Sequence, residues 1–478
     1  MHIFRIIRLG FILYSVTLFI SCKKQGQPNI ILITVDDLGW TDLGCYGSGF
    51  YETPNIDKMA DGGYRFTNAY AAAAICSPTR AAIMTGRYPA RVGITDWIRA
   101  KFQGGGEENR EGYEDLPDKN LLCPYNPFHL DLEETTIPEL LKSGGYVSGF
   151  IGKWHLGTES WFPEKQGFEM NKGGCDFGQP PSYFDPYISL PNRWQKDTLK
   201  GFPNLNPRKK NEYLTDRETY EAIDFIRKNK NEKFFLNLCH YAVHTPIQGK
   251  ADKIAKYEGK MATNQKSVVY AAMVESVDDA VGQIMNALEE LGIVDETMII
   301  FTSDNGGLLT DIATDNRPLR SGKGYPYEGG IRIPTIVYWK NNIEPGSVTD
   351  QPIISMDLLP TICAAAGVSI PMDLTIDGIN LMPLLIDNEV LQERTLYWHF
   401  PHYRGRDVVP YNIVRKDSWK LIHRYEGKEI ELYNLETDLS ETNDLSESKP
   451  EVVEALYKEL MDWLAQVDAK IPREKSVL

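Results

Sequence analysis

The sequence predicts an α/β fold: a large, mostly parallel sheet sandwiched by helices, followed by a smaller antiparallel sheet with one helix. Three observations carry this expectation. Four apolar runs with little alternation end in polar clusters, as strands covered on both faces do. Helical segments with start and stop signals fall between those runs. The tail then changes to short strand-like runs with no helix between them.

The apolar runs are Asn29–Val35, ending at Asp36-Asp37; Tyr146–Gly152, ending at Lys153-Trp154-His155; Lys233–Cys239, leading through His240 to His244-Thr245-Pro246; and Thr297–Ser303, ending at Asp304-Asn305-Gly306. In open α/β sheets ligands bind outside the carboxyl ends of strands, where all four polar clusters fall. Between the runs, Thr53-Pro54 opens a helix that stops at Gly62-Gly63. Thr136 with Glu139, and again Thr215 with Glu218, have capping-box spacing. From Val268 to Leu291 apolar residues recur on one helical face, and Gly292 supplies the stop.

In the tail, Leu396–Trp398, Asn412–Arg415, Trp419–Ile422 and Glu431–Leu435 read as strands, and Pro450 to Val467 as a helix. The change places a boundary between Ile386 and Arg394, giving an N-terminal α/β domain over residues 22–390 and a C-terminal α+β subdomain over 391–478.

The chain has 478 residues, enough for a large core. Lys plus Arg total 51 against 66 Asp plus Glu, a net charge of −15. That balance argues against nucleic acid or an anionic membrane as the main partner. At the N-terminus Arg5 and Arg8 precede the apolar run Leu9–Ile20, shorter than the ~20 residues a spanning helix needs. Residues 1–21 therefore read as a signal peptide. Ser21-Cys22 resembles a bacterial lipobox, with Phe19 an imperfect fit upstream. The resemblance implies lipid on the Cys22 sulfur and export to the periplasm or outer membrane of a Gram-negative bacterium. A soluble secreted protein and an uncleaved anchor are the alternatives.

Asp36, Asp37, Asp304 and Asn305 converge only if their two strands run the same way. Converged, they offer oxygen ligands with no imidazole among them, which suits Ca²⁺ or Mg²⁺ over Zn²⁺. The stretch Cys76-Ser77-Pro78-Thr79-Arg80 opens a predicted helix that runs through Ala81-Ala82-Ile83-Met84 to Gly86. Cys76 then sits at the positive end of that helix, with Arg80 one turn on.

This stretch resembles the maturation motif C-x-P-x-R of type I sulfatases, with the family's Thr85-Gly86-Arg87 continuation. Gly152-Lys153-Trp154-His155-Leu156-Gly157 is similar to the family's G-K-W-H-x-G element, and the D-D and D-N-G pairs to its calcium site. His244 and Lys323 match its remaining histidine and lysine. Thr79, where many members carry Ser, is the one departure. The likeness spans about residues 28 to 445. It implies an alkaline-phosphatase-like fold with a large mixed sheet. It also implies one Ca²⁺ held by Asp36, Asp37, residue 76, Asp304 and Asn305, and Cys76 oxidised to formylglycine by a maturation enzyme. Arg80, Lys153 and Lys323 are then expected to stabilise sulfate charge. His244, with Lys323, protonates the leaving alcohol, and His155 deprotonates the second hydroxyl of the hydrated aldehyde.

With the ion present the pocket carries about +2, suited to a sulfate ester. Setting aside Cys22 and Cys76 leaves five cysteines, so at least one is unpaired. Cys239 and Cys363 read as buried and inert. The resulting expectation is a sulfatase acting on a sulfated saccharide. A formylglycine-dependent phosphonate or phosphate ester hydrolase, and a catalytically dead glycan-binding homologue, are the alternatives. Substrate selection is expected from the irregular segments Trp97–Leu132, Glu159–Tyr213, Leu308–Tyr327 and Tyr397–Arg404.

Overall fold

The computed structural model describes residues 26–191, 198–309, 313–427 and 429–475. The leader and Cys22 lie outside these residues. Eight strands form the main sheet: β1 (Asn29–Val35), β2 (Tyr64–Phe66), β3 (Val147–Gly152), β4 (Met170–Lys172), β5 (Phe234–His240), β6 (Thr297–Ser303), β7 (Thr335–Tyr338) and β8 (Ser347–Thr349). Their order across the sheet is β8-β2-β7-β6-β1-β5-β3-β4. The five strands β6-β1-β5-β3-β4 run parallel, while β7 is antiparallel to both β6 and β2. The sheet is thus mixed and mostly parallel.

Every residue of β1 is buried, and its side chains alternate between two cores. Ile31, Ile33 and Val35 pack with helices α1 (Pro54–Asp61), α4 (Leu214–Asn229) and α5 (Val268–Glu290). Ile30 and Leu32 pack against α2 (Cys76–Thr85), α3 (Ile137–Lys142) and α6 (Leu358–Ala365). Helices on both faces explain why the strand sequences show so little alternation.

A four-stranded antiparallel sheet follows: β9 (Leu396–Phe400), β10 (Tyr411–Lys416), β11 (Trp419–Arg424) and β12 (Ile430–Asn434), with helix α7 (Pro450–Gln466). A third core joins it to the segment before α2. There Tyr70, Ala72, Ala74 and Ile75 pack with Trp398, Tyr411, Leu421 and Trp463.

One capping box forms as its spacing predicts: Glu139 Oε2 accepts the Thr136 N–H at 2.8 Å and its hydroxyl at 2.9 Å. The other does not. Helix α4 begins at Leu214 with Tyr213 as N-cap, so Thr215 lies inside the helix and does not cap it. Glu218 instead meets His240 Nδ1 on β5 at 2.7 Å. A buried tertiary partner outcompetes the local cap. The six described cysteines are all free, and Cys239 and Cys363 are buried.

Candidate active site

Parallel strands β1, β6, β5 and β3 bring their carboxyl ends together, and with them the polar clusters. The first site residues come from α2. Its N-cap is Ile75 and its first residue Cys76, one position earlier than the Ser-Pro start implies, and Gly86 closes it in the left-handed region. Cys76 and Arg80, one turn apart, point to the same place. Cys76 Sγ lies 3.7 Å from Asp36 Oδ1. Arg80 donates to Asp304 Oδ2 at 2.9 Å through Nε and to the Lys153 carbonyl at 2.7 Å.

Lys153 Nζ donates to Asp36 Oδ2 at 2.6 Å, and Lys323 Nζ to Asp37 Oδ1 at 2.6 Å. Asn305 Nδ2 donates to the same Asp37 oxygen at 2.8 Å. His244 Nε2 stands 3.5 Å from Asp37 Oδ2. All ten predicted side chains therefore gather at one centre. Asp37 and His155 occupy the left-handed backbone region at φ 61° and 59°, strain found where a site imposes its own geometry.

The centre fits a hard cation. Asp36, Asp37, Asp304 and Asn305 are fully buried, and among their oxygens Asp37 Oδ2 and Asn305 Oδ1 have no hydrogen-bond partner. Buried acceptors without donors are costly, and a divalent ion satisfies them. Donor atoms of Asp36, Asp37, Cys76 and His244 lie within 4.8 Å of one another. The three carboxylates face the three cations Arg80, Lys153 and Lys323, yet burial outweighs Lys153 and pushes the Asp36 carboxyl up to about 8.

Electrostatics shape the remaining groups. Burial pushes the Cys76 thiol up to about 11, beyond what Lys153 and Lys323 recover, so at neutral pH it stays protonated. The helix end does not turn it into a thiolate. Burial opposes ionisation of Asp304, but Arg80 beside it holds its carboxyl below the usual range. Burial, with Lys153 and Arg80 nearby, drives His155 well below its ordinary value. Its Nε2 lies 2.8 Å from the Ile98 carbonyl, which assigns the proton to Nε2 and leaves Nδ1 as an unpartnered acceptor. Burial and Lys323 lower His244 to about 3, so it is neutral at neutral pH.

Several supporting residues carry no motif signal. The Ser77 hydroxyl donates to the His155 carbonyl at 3.0 Å and accepts the Ile98 N–H at 2.9 Å, tying α2 to the histidine and its anchor. The Thr79 hydroxyl donates to the Ala73 carbonyl and accepts its N–H, both at 3.0 Å, a bond that a Ser hydroxyl can also make. Asp42 accepts from Gly39 N, Tyr270 and Gln265 and pins the loop after Asp37. Only the polar loop composition around Asp42 hints at such a role.

Cys76, His155, His244 and Lys323 line a cleft of about 410 Å³. All four irregular segments reach it, through Trp97 and Gln103, Gln179, Lys323, and Arg404. The aromatic run before Arg404 does not. Tyr397 stacks on Trp463, Trp398 donates to the Ala71 carbonyl, and Phe400 and His402 are buried. Two larger cavities, about 590 and 600 Å³, contain none of the ten residues, so chemistry rather than size marks the site.

The family model for Sulfatase matches residues 28–368. The chain belongs to the sulfatase family. A second model, N-sulphoglucosamine sulphohydrolase, C-terminal, matches residues 322–470. The sulfatase is 36% identical to N-acetylgalactosamine-6-sulfatase of Homo sapiens, over 80% of this chain and 69% of that one. It is 31% identical to a sulfatase of Formosa agariphila over 97% and 94% of the two chains. Among solved structures, Ps i-CgsB in complex with k-i-k-neocarrahexaose superposes with a TM-score of 0.75 at 32% identity, covering 91% and 92%. The sulfatase is accordingly a sulfuric ester hydrolase with the alkaline-phosphatase-like fold.

Proposed function

We propose that this sulfatase hydrolyses a sulfate monoester on a carbohydrate, using Cys76 in its formylglycine form and one Ca²⁺. The observation that carries the reading is the position of residue 76, 3.7 Å from Asp36 and ringed by Arg80, Lys153 and Lys323. The sugar-directed relative and the carrageenan-oligosaccharide complex support a saccharide substrate.

Asp36, Asp37, Asp304 and Asn305, with residue 76, would hold the ion. When present, the oxidised residue supplies a hydrated aldehyde as nucleophile, and the ion supplies positive charge for the sulfate oxygens. Arg80 and Lys153, buried beneath the cleft, and Lys323 at its floor bind and orient those oxygens and stabilise the charge that builds on them. His155 Nδ1, free of its own proton, accepts one from a hydroxyl at position 76. His244 Nε2 and Lys323 Nζ share the proton for the departing alcohol. An anionic substrate raises His244 from its low value, which suits it to that role once the cleft is filled.

A maturation enzyme is the partner this reading requires. Export as a lipoprotein through Cys22 is proposed with it. The test is mass spectrometry of residue 76 beside an aryl sulfate assay. Full activity with an unmodified thiol overturns the nucleophile assignment.

A further inference from the structure

Among the described residues no carboxylate lines the cleft, although the chain as a whole carries a net charge of −15. The lysine and arginine side chains that line it, among the described residues, are Lys323 and Arg404. Lys323 is committed to Asp37 at 2.6 Å. Among the described residues the Arg404 side chain makes no ion pair and no hydrogen bond. Asp96, a half-buried carboxyl that accepts the Trp97 N–H at 2.8 Å, feels the charge of Arg404 without pairing with it.

The guanidinium is nonetheless held in place. Arg404 exchanges backbone hydrogen bonds with Val408 at 3.0 and 3.2 Å. Its side chain lies across Gly324: a Cβ there would meet Arg404 Nε at 2.4 Å, and Gly324 itself sits at φ +88°. Gly324 N–H donates to the Ala74 carbonyl at 2.7 Å, which fixes this loop to the chain just before Cys76. Arg404 is thus a half-buried cation close to another cation, Lys323, and among the described residues no carboxylate pairs with it directly. Like-charge proximity and partial desolvation both work against that arrangement in the free protein. An anionic ligand removes both costs.

The scissile group belongs at the floor, where Cys76, His155, His244 and Lys323 meet. Arg404 lines the same cleft with its side chain against Gly324, the residue after Lys323, and Trp97 lines it too. We infer that Arg404 is a specificity-determining residue that pairs with a second anionic substituent, carboxylate or sulfate, on the alcohol being released. A planar guanidinium can grip either group through two parallel N–H bonds. The substrate class is then a sulfate ester of a polyanionic saccharide rather than of a neutral one. This inference rests on the hydrolase reading above.

The test compares three esters on the metal-loaded, oxidised enzyme: 4-nitrophenyl sulfate, its ring-carboxylated analogue, and a nitrophenyl bis-sulfate. The wild type is expected to favour at least one dianionic ester in kcat/KM. R404Q is expected to shrink that preference about tenfold or more, mainly through KM, as one charge-assisted pair implies. R404K should retain part of it, and the favoured ester tells carboxylate from sulfate. Thermal melting of both variants checks that they fold. An unchanged preference in R404Q, equal losses on all three esters, or no preference in the wild type overturns the inference. Failure of the wild type on every ester instead overturns the hydrolase reading, and this inference with it.

Discussion

Lys153 and Asp36 meet at 2.6 Å with both side chains wholly buried. One of the Lys153 protons pairs a carboxylate of the proposed metal site, and on the proposed reading the others are left free for the sulfate. Lys153→Ala removes one such donor, and kcat is expected to fall by ~10²–10³, the loss typical of one oxyanion contact. Steady-state kinetics on an aryl sulfate check this. A change confined to KM would show that Lys153 serves ground-state binding only.

Cys76→Ala is expected to abolish turnover while leaving the melting temperature close to wild type, because a small buried side chain replaces another. Chain that escapes oxidation should be equally inactive, since its thiol stays protonated at neutral pH. Activity plotted against the oxidised fraction, measured by mass spectrometry, should extrapolate to zero.

Chelation is expected to abolish activity and lower the melting temperature, and Ca²⁺ to restore both. At a hundredfold excess over Kd the ion contributes about 2.7 kcal/mol of stability. Asp304→Asn should weaken the calcium response in calorimetry. An enzyme that retains full activity after exhaustive chelation contradicts the site.

Glu441, Lys420 and Glu328 form a fully buried trio, with Lys420 Nζ 2.8 Å from Glu441 and 3.0 Å from Glu328. One lysine faces two carboxylates, and burial pushes Glu441 up to about 7 against the pull of Lys420. The folded state therefore binds a proton that the unfolded state has released. The stability this group contributes is complete below its ordinary value of 4.5 and is lost as pH rises toward about 7. Glu441→Gln should flatten the fall in melting temperature over that window relative to wild type. Parallel curves for the two proteins would refute it.

Much of this was legible residue by residue. The apolar runs marked strands buried on both faces to within a residue at each end, because helix cover removes alternation from the sequence itself. Gly86 marked the end of α2 because only a left-handed residue closes it cheaply. The ten candidate residues could be named because short motifs carry them: most stand at strand ends, Cys76 and Arg80 in α2, and Lys323 in a Gly-flanked loop where the family resemblance alone singled it out. Glu218 was misread because its capping-box spacing is a local signal, whereas its partner, His240, lies on another element. The aromatic run from Tyr397 to Tyr403 carried no sign of whether it faced sugar or core.

The sequence by itself determined the element order, the chemistry of the four polar strand ends and the helix that opens at the Cys76 motif. These follow from local periodicity, turn residues and side-chain type. Only the tertiary structure decided which His155 nitrogen is free, which carboxylate each lysine meets, and that Arg404 overhangs Gly324 with no carboxylate paired to it among the described residues. Those outcomes depend on contacts between residues far apart in the chain. Packing and burial set such contacts, and no local pattern encodes them.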